Sequence, residues 1–440
     1  MNPKPSPPRS PHPHASPAPS PFRSAGFRFL FAASAVSRGG VAVGNLALPL
    51  VAIVALDASV GEVGLLATLT TAAFLLVGPF GGVWVDRLRK RPVMIAADLA
   101  RALLLGWVPL AWWAGWLTLE QLYGVALLAG VGTVFFDVAA LSLLPLVVGR
   151  ERLLAANSAL HGFDAGVAVA GPAAAGGLVA LVTAPFAVAA NAVGCLASAC
   201  LLAGVRVEEP APERAGRGRV WAEVAEGARF VAGHPVLRPV LVQGGLANLG
   251  IRMVTVVLPV VLVAELGLSA GMVGLFLAGG GVGVLLGATF ARRLAQRMGA
   301  GRTLWLLGLA IAPFGLVLPL VRDGALLWLA AGAWAVVTFK TGVDNVLLVS
   351  FRQRVTPDRL LGRMNASFRT VLTGALAVGS ALTGLLGELA GPRAPLWAGA
   401  LALALVWVPI AASPLRRLRD LPDAAPPDTE PPNATPPDTA

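Results

Sequence analysis

Several ionisable side chains lie inside long apolar stretches of this chain. They are Arg38, Asp137, Asp164, Arg252, Lys340 and Asp344. A charge is costly in hydrocarbon, so such residues face a protein interior or a water-filled cavity and mark functional sites by default. A carboxylate beside an arginine can bind a proton and thereby release its partner, which is the chemistry of a proton switch.

One hypothesis for these charges is two ion pairs, and it depends on the resemblance given below, which brings their helices together. Pairing of Arg38 with Asp137, and of Arg252 with Asp344, would offset much of the cost of desolvating each charge. Asp137 has no charged partner on its own helix, so it is the first candidate for carrying a proton. Asp164 is the second candidate.

A static role is the alternative for some of these charges. Lys340 and Asp344 are spaced i, i+4, and Asp98 and Arg101 are spaced i, i+3, so each pair can meet on one helix face. We interpret Asp98 and Arg101 as a structural pair. For Asp344, the static pair and the proton switch both remain open.

A short, densely charged turn separates two of the apolar runs. It reads Gly82-Val-Trp-Val-Asp86-Arg87-Leu-Arg89-Lys90-Arg91, in which the first glycine, the aspartate and the arginine after it have the spacing G-x-x-x-D-R. Such a turn cannot lie inside lipid. It therefore marks a loop at one face of a membrane.

The composition requires a membrane protein. The 440 residues are 56% hydrophobic and only 13% charged, with a mean hydropathy of +0.75, values that exclude an ordinary soluble domain. Apolar runs long enough to cross the bilayer occur twelve times. Their predicted positions are 29 to 56, 63 to 85, 93 to 116, 119 to 148, 158 to 181, 184 to 204, 238 to 264, 270 to 291, 303 to 321, 324 to 350, 366 to 390 and 395 to 412.

Basic residues predict the orientation of these spans. If both termini are cytoplasmic, every Lys and Arg of the loops and tails lies inside except Arg322 and Arg393. This is the asymmetry of the positive-inside rule, and it accounts for the formal net charge of +11 without a nucleic-acid partner. We expect a multi-pass protein of the plasma membrane with both ends in the cytoplasm.

The chain contains an internal duplication. Glu151-Arg152-Leu153-Leu154 recurs as Asp358-Arg359-Leu360-Leu361, and an aspartate, Asp137 or Asp344, precedes each string at the same distance. The two copies are 207 residues apart at both places, so the similarity extends over a helix and the loop that follows it. This predicts two repeats of six helices.

Several strings resemble the major facilitator superfamily, and within it the bacterial subgroup of drug:proton antiporters that includes enterobactin and macrolide exporters. They are Gly82 to Pro92, Ile95 to Arg101, Phe135 to Ala139 and Val355 to Ser367. In the fifth span, Gly171-Pro172-Ala-Ala-Ala175-Gly176 resembles the Gly-Pro-x-x-Gly-Gly signature of exporters, with tight helix packing as the alternative interpretation of so many small residues.

The resemblance implies a fold and a set of site residues. The fold is all-α, with twelve transmembrane helices in two pseudo-symmetric six-helix bundles. Spans one, four, seven and ten line the central cavity in this superfamily, which would place Arg38, Asp137, Arg252, Lys340 and Asp344 there. A gate would comprise Gly82, Asp86, Arg87 and Arg91, with the Asp86 carboxylate facing the N-terminal end of the eleventh span near Ala366.

Two departures from the family pattern concern coupling and the gate. Arg89 replaces the turn glycine of the loop motif, and the fourth span has no arginine of the kind that many drug:proton antiporters carry there. The family's usual coupling residue is therefore missing from its place.

The predicted organisation has five parts. Residues 1–28 and 413–440 are disordered cytoplasmic tails, 29–204 and 238–412 are the two bundles, and 205–237 is a linker with an amphipathic helix along the cytoplasmic surface.

The predicted function is secondary active transport. The spans lack a nucleophile with a base, and the four histidines lack metal-ligand spacing, so neither an enzyme nor a metal site is expected. We expect a monomeric, proton-coupled antiporter that needs no cofactor, contacts lipid, binds protons and exports an amphipathic small molecule such as a drug, siderophore or secondary metabolite. A proton-coupled importer and a non-transporting receptor on the same fold are the alternatives.

Overall fold

In the computed structural model of this chain, the described residues are 20–207, 209 and 220–417, with the side chains of 79–83, 86, 150, 220–224 and 358 excepted. Among them, twelve helical segments are long and apolar enough to cross a bilayer, which confirms the predicted all-α membrane fold. In chain order the helices are α1 Ala25–Leu50, α2 Val60–Asp86, α3 Lys90–Trp113, α4 Leu119–Val148, α5 Leu153–Val182, α6 Ala184–Ala203, α7 Val220–Gly233, α8 Leu237–Val260, α9 Ala270–Met298, α10 Ala300–Gly315, α11 Ala325–Val355, α12 Asp358–Ala390, α13 Arg393–Ala404 and α14 Val408–Ala411.

The helices run past the predicted spans at one end. The helix α9 continues to Met298 and α12 begins at Asp358, about two turns beyond the apolar runs. Each extension carries arginines, as expected of helix ends that reach beyond the hydrocarbon. The predicted disordered tails fall mostly outside the described residues, although α1 begins at Ala25 and a 3-10 turn covers Pro414–Arg417.

An even number of crossings places residues 20 and 417 on the same side of the membrane, named here the terminal side. The other side is named the opposite side. Trp113 and Trp116 lie exposed at the opposite-side end of α3, where aromatic residues anchor membrane proteins at the interface.

Polar caps set where several spans begin. Ser59 and Glu62 form a reciprocal capping box at the start of α2, in which each side chain binds the backbone N–H of the other residue. Thr118 and Ser269 accept hydrogen bonds from backbone N–H groups at the starts of α4 and α9. These helices therefore start at fixed residues on the opposite side.

The internal repeat extends to a local distortion of the helices. In each half, a π-helical turn continues the first span on the opposite side: Val51–Ala55 follows α1 and Val261–Glu265 follows α8. A proline closely precedes each turn, Pro49 in one half and Pro259 in the other. The two halves thus share the same break in helical geometry at equivalent places, which supports the duplication.

The apolar core shows where the two halves meet. One cluster of buried side chains, which includes Leu50 and Phe276, contains residues of both halves and lies on the opposite side. Two further clusters, one around Phe27 and one around Phe351, lie on the terminal side, and each belongs to a single half. Among the described residues, the halves are thus joined on the opposite side and separated on the terminal side.

The predicted amphipathic linker helix is α7. It packs against α12 and α8, and Glu226 forms an ion pair with Arg363 of α12 at 2.5 Å. Val231 of α7 is buried in the terminal-side cluster of the second half. The linker helix is therefore packed against the second half and does not lie free on the surface.

Candidate functional site

The space between the halves on the terminal side, named here the central cavity, is closed on the opposite side by two helix pairs. The helix α2 packs against α12, and α5 packs against α9. At both crossings glycines let the backbones touch: a Cβ on Gly64 would lie 2.5 Å from the Gly384 Cα atom, and one on Gly176 would lie 2.9 Å from the Gly274 Cα atom. Larger residues at these positions would force the halves apart.

The exporter-like signature lies at the second of these crossings. Gly176 faces Gly274 of α9, and the backbone of Pro172 approaches the same glycine, whereas Gly171 faces Ala42 of α1. The small residues of the signature thus permit close packing both within the first half and between the halves. The sequence left tight helix packing open as the alternative interpretation of this signature. In the structure, these residues do pack tightly, and they do so at the surface that closes the cavity.

Two polar contacts add to this closure. The Glu388 carboxylate, near the end of α12, accepts hydrogen bonds from the Ser59 hydroxyl and from the Gly61 N–H at 3.0 Å, both at the N-terminus of α2. A carboxylate is favoured there because the exposed N–H groups give that end of the helix a partial positive charge. Glu388 therefore fastens one half to the other.

Arg252 supplies the second contact. Its Nε donates to the Ser380 hydroxyl at 2.8 Å, while Nη2 donates to the Ala67 carbonyl at 3.1 Å and to the Thr71 hydroxyl at 3.3 Å. The predicted partner, Asp344, is not among these groups. The structure therefore corrects the pairing: Arg252 reaches across to α2 of the other half instead of binding a carboxylate in its own half.

Glu388→Ala is expected to loosen closure on the opposite side. Loss of hydrogen bonds to a charged group worth about 1.5–3 kcal/mol should raise the population of the open form about tenfold or more. The measurement is labelling of a single cysteine at Thr68, one turn after Gly64 on α2, by a membrane-impermeant maleimide added from the opposite side.

Glu265→Ala is the matched control for this labelling. Glu265 lies on the same side and forms an ion pair with Arg393 at 2.8 Å, but both residues belong to the second half. Equal labelling rates in the two variants would show that Glu388 does not hold the halves together.

Among the described residues, the first half carries a partly exposed ion pair that we assign to the central cavity. Arg38 of α1 binds Asp164 of α5, with 2.8 Å between Nη1 and Oδ2, and the side chains are 38% and 32% exposed. The expected pairing of Arg38 with Asp137 is therefore wrong in this state. The reason is helix packing, because α1 lies against α5 over a longer stretch than against α4.

Asp137 lies near this pair without joining it. The charges that act on its carboxylate are those of Arg38, Arg101, Asp164 and Arg369. Arg369 belongs to α12, in the other half. Arg369 was not among the predicted site residues, although its position inside an apolar run is the same signal that identified the other charges.

In the second half, Asp344 has two partners. Lys340 binds Asp344 Oδ2 at 2.5 Å, and the Gln243 amide donates to the same oxygen at 2.8 Å. Lys340 and Asp344 thus form the i, i+4 pair that the sequence left open as one alternative. Gln243 is an additional partner that the sequence did not reveal. Asp344 also lines a pocket of about 100 Å³ together with Gln243, Asn248 and Asn345.

Among the charged side chains that the structure describes in the first half, Asp98 and Arg101 are the most deeply buried. They are 0% and 1% exposed, Arg101 Nη1 lies 2.8 Å from Asp98 Oδ1, and the same nitrogen donates to the Ser37 hydroxyl at 3.0 Å. The guanidinium also lies over the Phe136 ring. These contacts join α3 to α1 and α4, an arrangement suited to a structural role.

The charged turn between α2 and α3 is only partly described. Gly82 is described as part of the α2 backbone alone, and the Asp86 side chain lies outside the described part of the chain, so its expected approach to α12 stays a prediction. Arg91 is described, and its guanidinium donates to the carbonyls of Leu202, at 2.9 Å, and Ala203 at the end of α6. These contacts of Arg91 lie within one half, which favours a cap on α6 over direct contact with the other half. Arg87 ends α2 as its C-cap.

The chemistry available to the site follows from these residues. Within the described part of the chain, no group of three or more His, Cys, Asp or Glu residues could hold a metal ion. What the central cavity offers is a partly exposed carboxylate bound to an arginine and a second carboxylate nearby, set among apolar helices. Such a site can exchange a proton and hold an organic molecule.

Comparison with known proteins agrees with this architecture. The model of a family described as transmembrane secretion effectors matches residues 16–435. The enterobactin exporter EntS of Escherichia coli O1:K1 is 29% identical over 407 residues, which is 90% of this chain and 94% of the relative.

Two solved structures show the same fold. One is a bacterial homologue of the iron transporter ferroportin in an inward-facing state, with a TM-score of 0.71 and 16% identity over 88% of this chain and 98% of that chain. The other is the nucleoside transporter NupG, with a TM-score of 0.67 and 11% identity over 88% of this chain and 97% of that chain.

Proposed function

Because the chain belongs to the major facilitator superfamily, in the family of transmembrane secretion effectors, we propose that it is a proton-coupled antiporter that exports an amphipathic small molecule. It is a multi-pass membrane transporter and not an enzyme. The observation that carries the proposal is the Arg38–Asp164 ion pair, which lies in the central cavity and is exposed enough for a proton to reach it.

The terminal side is the cytoplasmic side in this proposal. The arginines that extend α9 and α12 beyond the apolar runs lie on the terminal side, whereas the opposite side has few basic residues. The central cavity is then open to the cytoplasm and closed towards the exterior. This is the state in which an exporter takes up its substrate.

The Arg38–Asp164 pair supplies the coupling step. Protonation of Asp164 from the outside would neutralise its carboxylate and release Arg38, and loss of that proton to the cytoplasm would restore the pair. For antiport, substrate has to bind from the cytoplasm to the unprotonated form with the pair intact, and to leave when Asp164 is protonated from the outside. Proton and substrate would thus be carried in opposite directions on alternate steps.

The walls of the central cavity indicate the class of substrate. The spans that would form these walls are mostly apolar, and the pocket beside Asp344 adds Gln243, Asn248 and Asn345. An apolar lining with a few polar groups favours an amphipathic organic molecule. The relatives named as enterobactin exporters support a siderophore or a comparable metabolite. Multidrug resistance is a further outcome that this class of substrate allows.

Transport into inside-out vesicles tests the proposal. Vesicles with an acidic interior are given a panel of siderophores and antibiotics, and the expected result is accumulation that disappears when the pH gradient is collapsed. Accumulation only in right-side-out vesicles would identify an importer. A compound that binds but is never accumulated in either orientation would favour a receptor.

A further inference from the structure

We propose that Arg369 of α12 pairs with Asp137 of α4 when the central cavity closes on the terminal side. This ion pair between the halves would stabilise the state of the transport cycle in which the terminal side is closed. The inference rests on the proposed function to the extent that it assumes alternating access. It assigns roles to two charges that the Arg38–Asp164 switch does not use.

Arg369 lies in an unusual environment for a guanidinium. It lies within the span Arg359–Ala390 and is exposed. Among the described residues it makes no hydrogen bond and no ion pair. A charge at this depth is tolerated while water fills the cavity, but closure of the cavity would desolvate it and require a counter-charge.

Asp137 carries the opposite charge and likewise lacks a bonded partner among the described side chains. It makes no hydrogen bond or ion pair with a side chain that the structure describes, and Arg369 of the other half is near enough for its charge to act on the carboxylate. The two other arginines that act on Asp137 already have carboxylate partners: Arg38 binds Asp164 and Arg101 binds Asp98. Arg369 is therefore the cation left to neutralise Asp137.

The two residues lie at similar distances from the terminal-side ends of their helices. Asp137 lies about three helical turns before Val148, the terminal-side end of α4. Arg369 lies about three helical turns after Asp358, the terminal-side end of α12. At a rise of about 1.5 Å per residue, both are roughly 16 Å from the terminal-side ends of their helices. A movement that brings the terminal-side ends of α4 and α12 together would therefore also bring these two charges closer.

The helices that carry Asp137 and Arg369, α4 and α12, both pack against α2. The helix α2 packs against α4 within the first half and against α12 of the second half. Phe136, beside Asp137, and Phe368, beside Arg369, are buried in the two terminal-side clusters that are separate in this state. Approach of these clusters around α2 is the movement that would bring Asp137 and Arg369 together.

The test measures closure of the terminal side directly. Spin labels on cysteines at Leu154 of α5 and Gly362 of α12, in a protein with Cys195 and Cys200 replaced by alanine, report the distance between the halves by double electron–electron resonance. Both labelled positions are exposed near the terminal side. We expect a long distance for the state described here and a second, shorter distance for the closed state.

Arg369→Gln and Asp137→Asn should each reduce the short-distance population about tenfold, the loss expected for one charged hydrogen bond. The double variant Asp137→Arg with Arg369→Asp should restore much of it, whereas each single charge reversal should not. Arg369→Lys, which keeps the charge, should be close to the wild type. Arg302→Gln, an exposed arginine of α10, is the control for loss of a positive charge.

Some results would overturn the inference. These are a short-distance population unchanged by Arg369→Gln, a charge-swapped protein no better than the single reversals, or the absence of a short distance in the wild type. The measurement uses neither substrate nor a pH gradient. A failure of proton-coupled export in vesicles, with the distances behaving as expected, would refute the proposed function and leave this ion pair standing.

Discussion

Arg101→Ala is expected to leave very little folded protein in the membrane. The change removes the partner of Asp98, whose carboxylate is 0% exposed and bound by Arg101 at 2.8 Å. Breaking a buried ion pair by removing one member costs about 3–5 kcal/mol, because the other charge stays buried without compensation. The measurement is the yield of monodisperse protein by fluorescence-detected size exclusion, together with its thermal midpoint.

A double variant separates the loss of the pair from the loss of volume. Asp98→Leu with Arg101→Met replaces both charges by apolar side chains of similar size, and such replacements of buried pairs are often neutral. We expect its yield to exceed that of Arg101→Ala clearly. A double variant that is as poor as the single one would show that the charges are needed for more than mutual neutralisation.

The second large effect is expected at Asp164. Asp164→Asn keeps the size of the side chain and mimics the protonated carboxyl, so the switch with Arg38 is fixed in one form. Accumulation driven by the pH gradient should fall at least 100-fold, while exchange of substrate across vesicles without a gradient should persist. Both rates are measured on the same vesicle preparation with radiolabelled substrate.

Two comparisons make the result at Asp164 specific. Asp323→Asn, in an exposed loop of the opposite side, should change neither rate. Asp137→Asn should slow both rates together, because the proposed pair with Arg369 affects the closed state and not the coupling. If Asp164→Asn still accumulated substrate against its gradient, Asp164 would not be the proton carrier, and Asp137 would take its place.

The sequence predicted the features that depend on one helix at a time. Hydrophobic length identified twelve spans, and the same criterion placed Arg38, Asp137 and Asp344 within membrane-spanning helices. The i, i+3 contact of Asp98 with Arg101 also follows from the geometry of a single helix. Depth along a helix and neighbours on one face can be read from spacing alone.

Partners on different helices could not be predicted in this way. Whether Arg38 meets Asp137 or Asp164 depends on the rotation of α1 about its axis and on which helix packs beside it, and neither is written in a local pattern. The same limit applies to Arg252, which crosses to α2 of the other half. Its partners are a carbonyl and two hydroxyls, groups that a search for opposite charges does not find.

The repeated π turns have a signal in the sequence, whereas the contact made by Glu388 has none. The strings Leu48-Pro49 and Leu258-Pro259 are separated by the same offset that relates the two π turns. Glu388, near the end of an apolar run, is indistinguishable in sequence from a residue that only meets solvent. Its contact with the start of α2 required the antiparallel packing of α2 and α12.

The most direct test of proton antiport measures protons and substrate in the same vesicles. Inside-out vesicles with an acidic interior and an internal pH-sensitive dye are given substrate from outside. We predict that the interior becomes less acidic as substrate enters, in proportion to the amount accumulated, and that Asp164→Asn abolishes this proton movement. Accumulation of substrate with no change of internal pH in the wild type would contradict proton antiport.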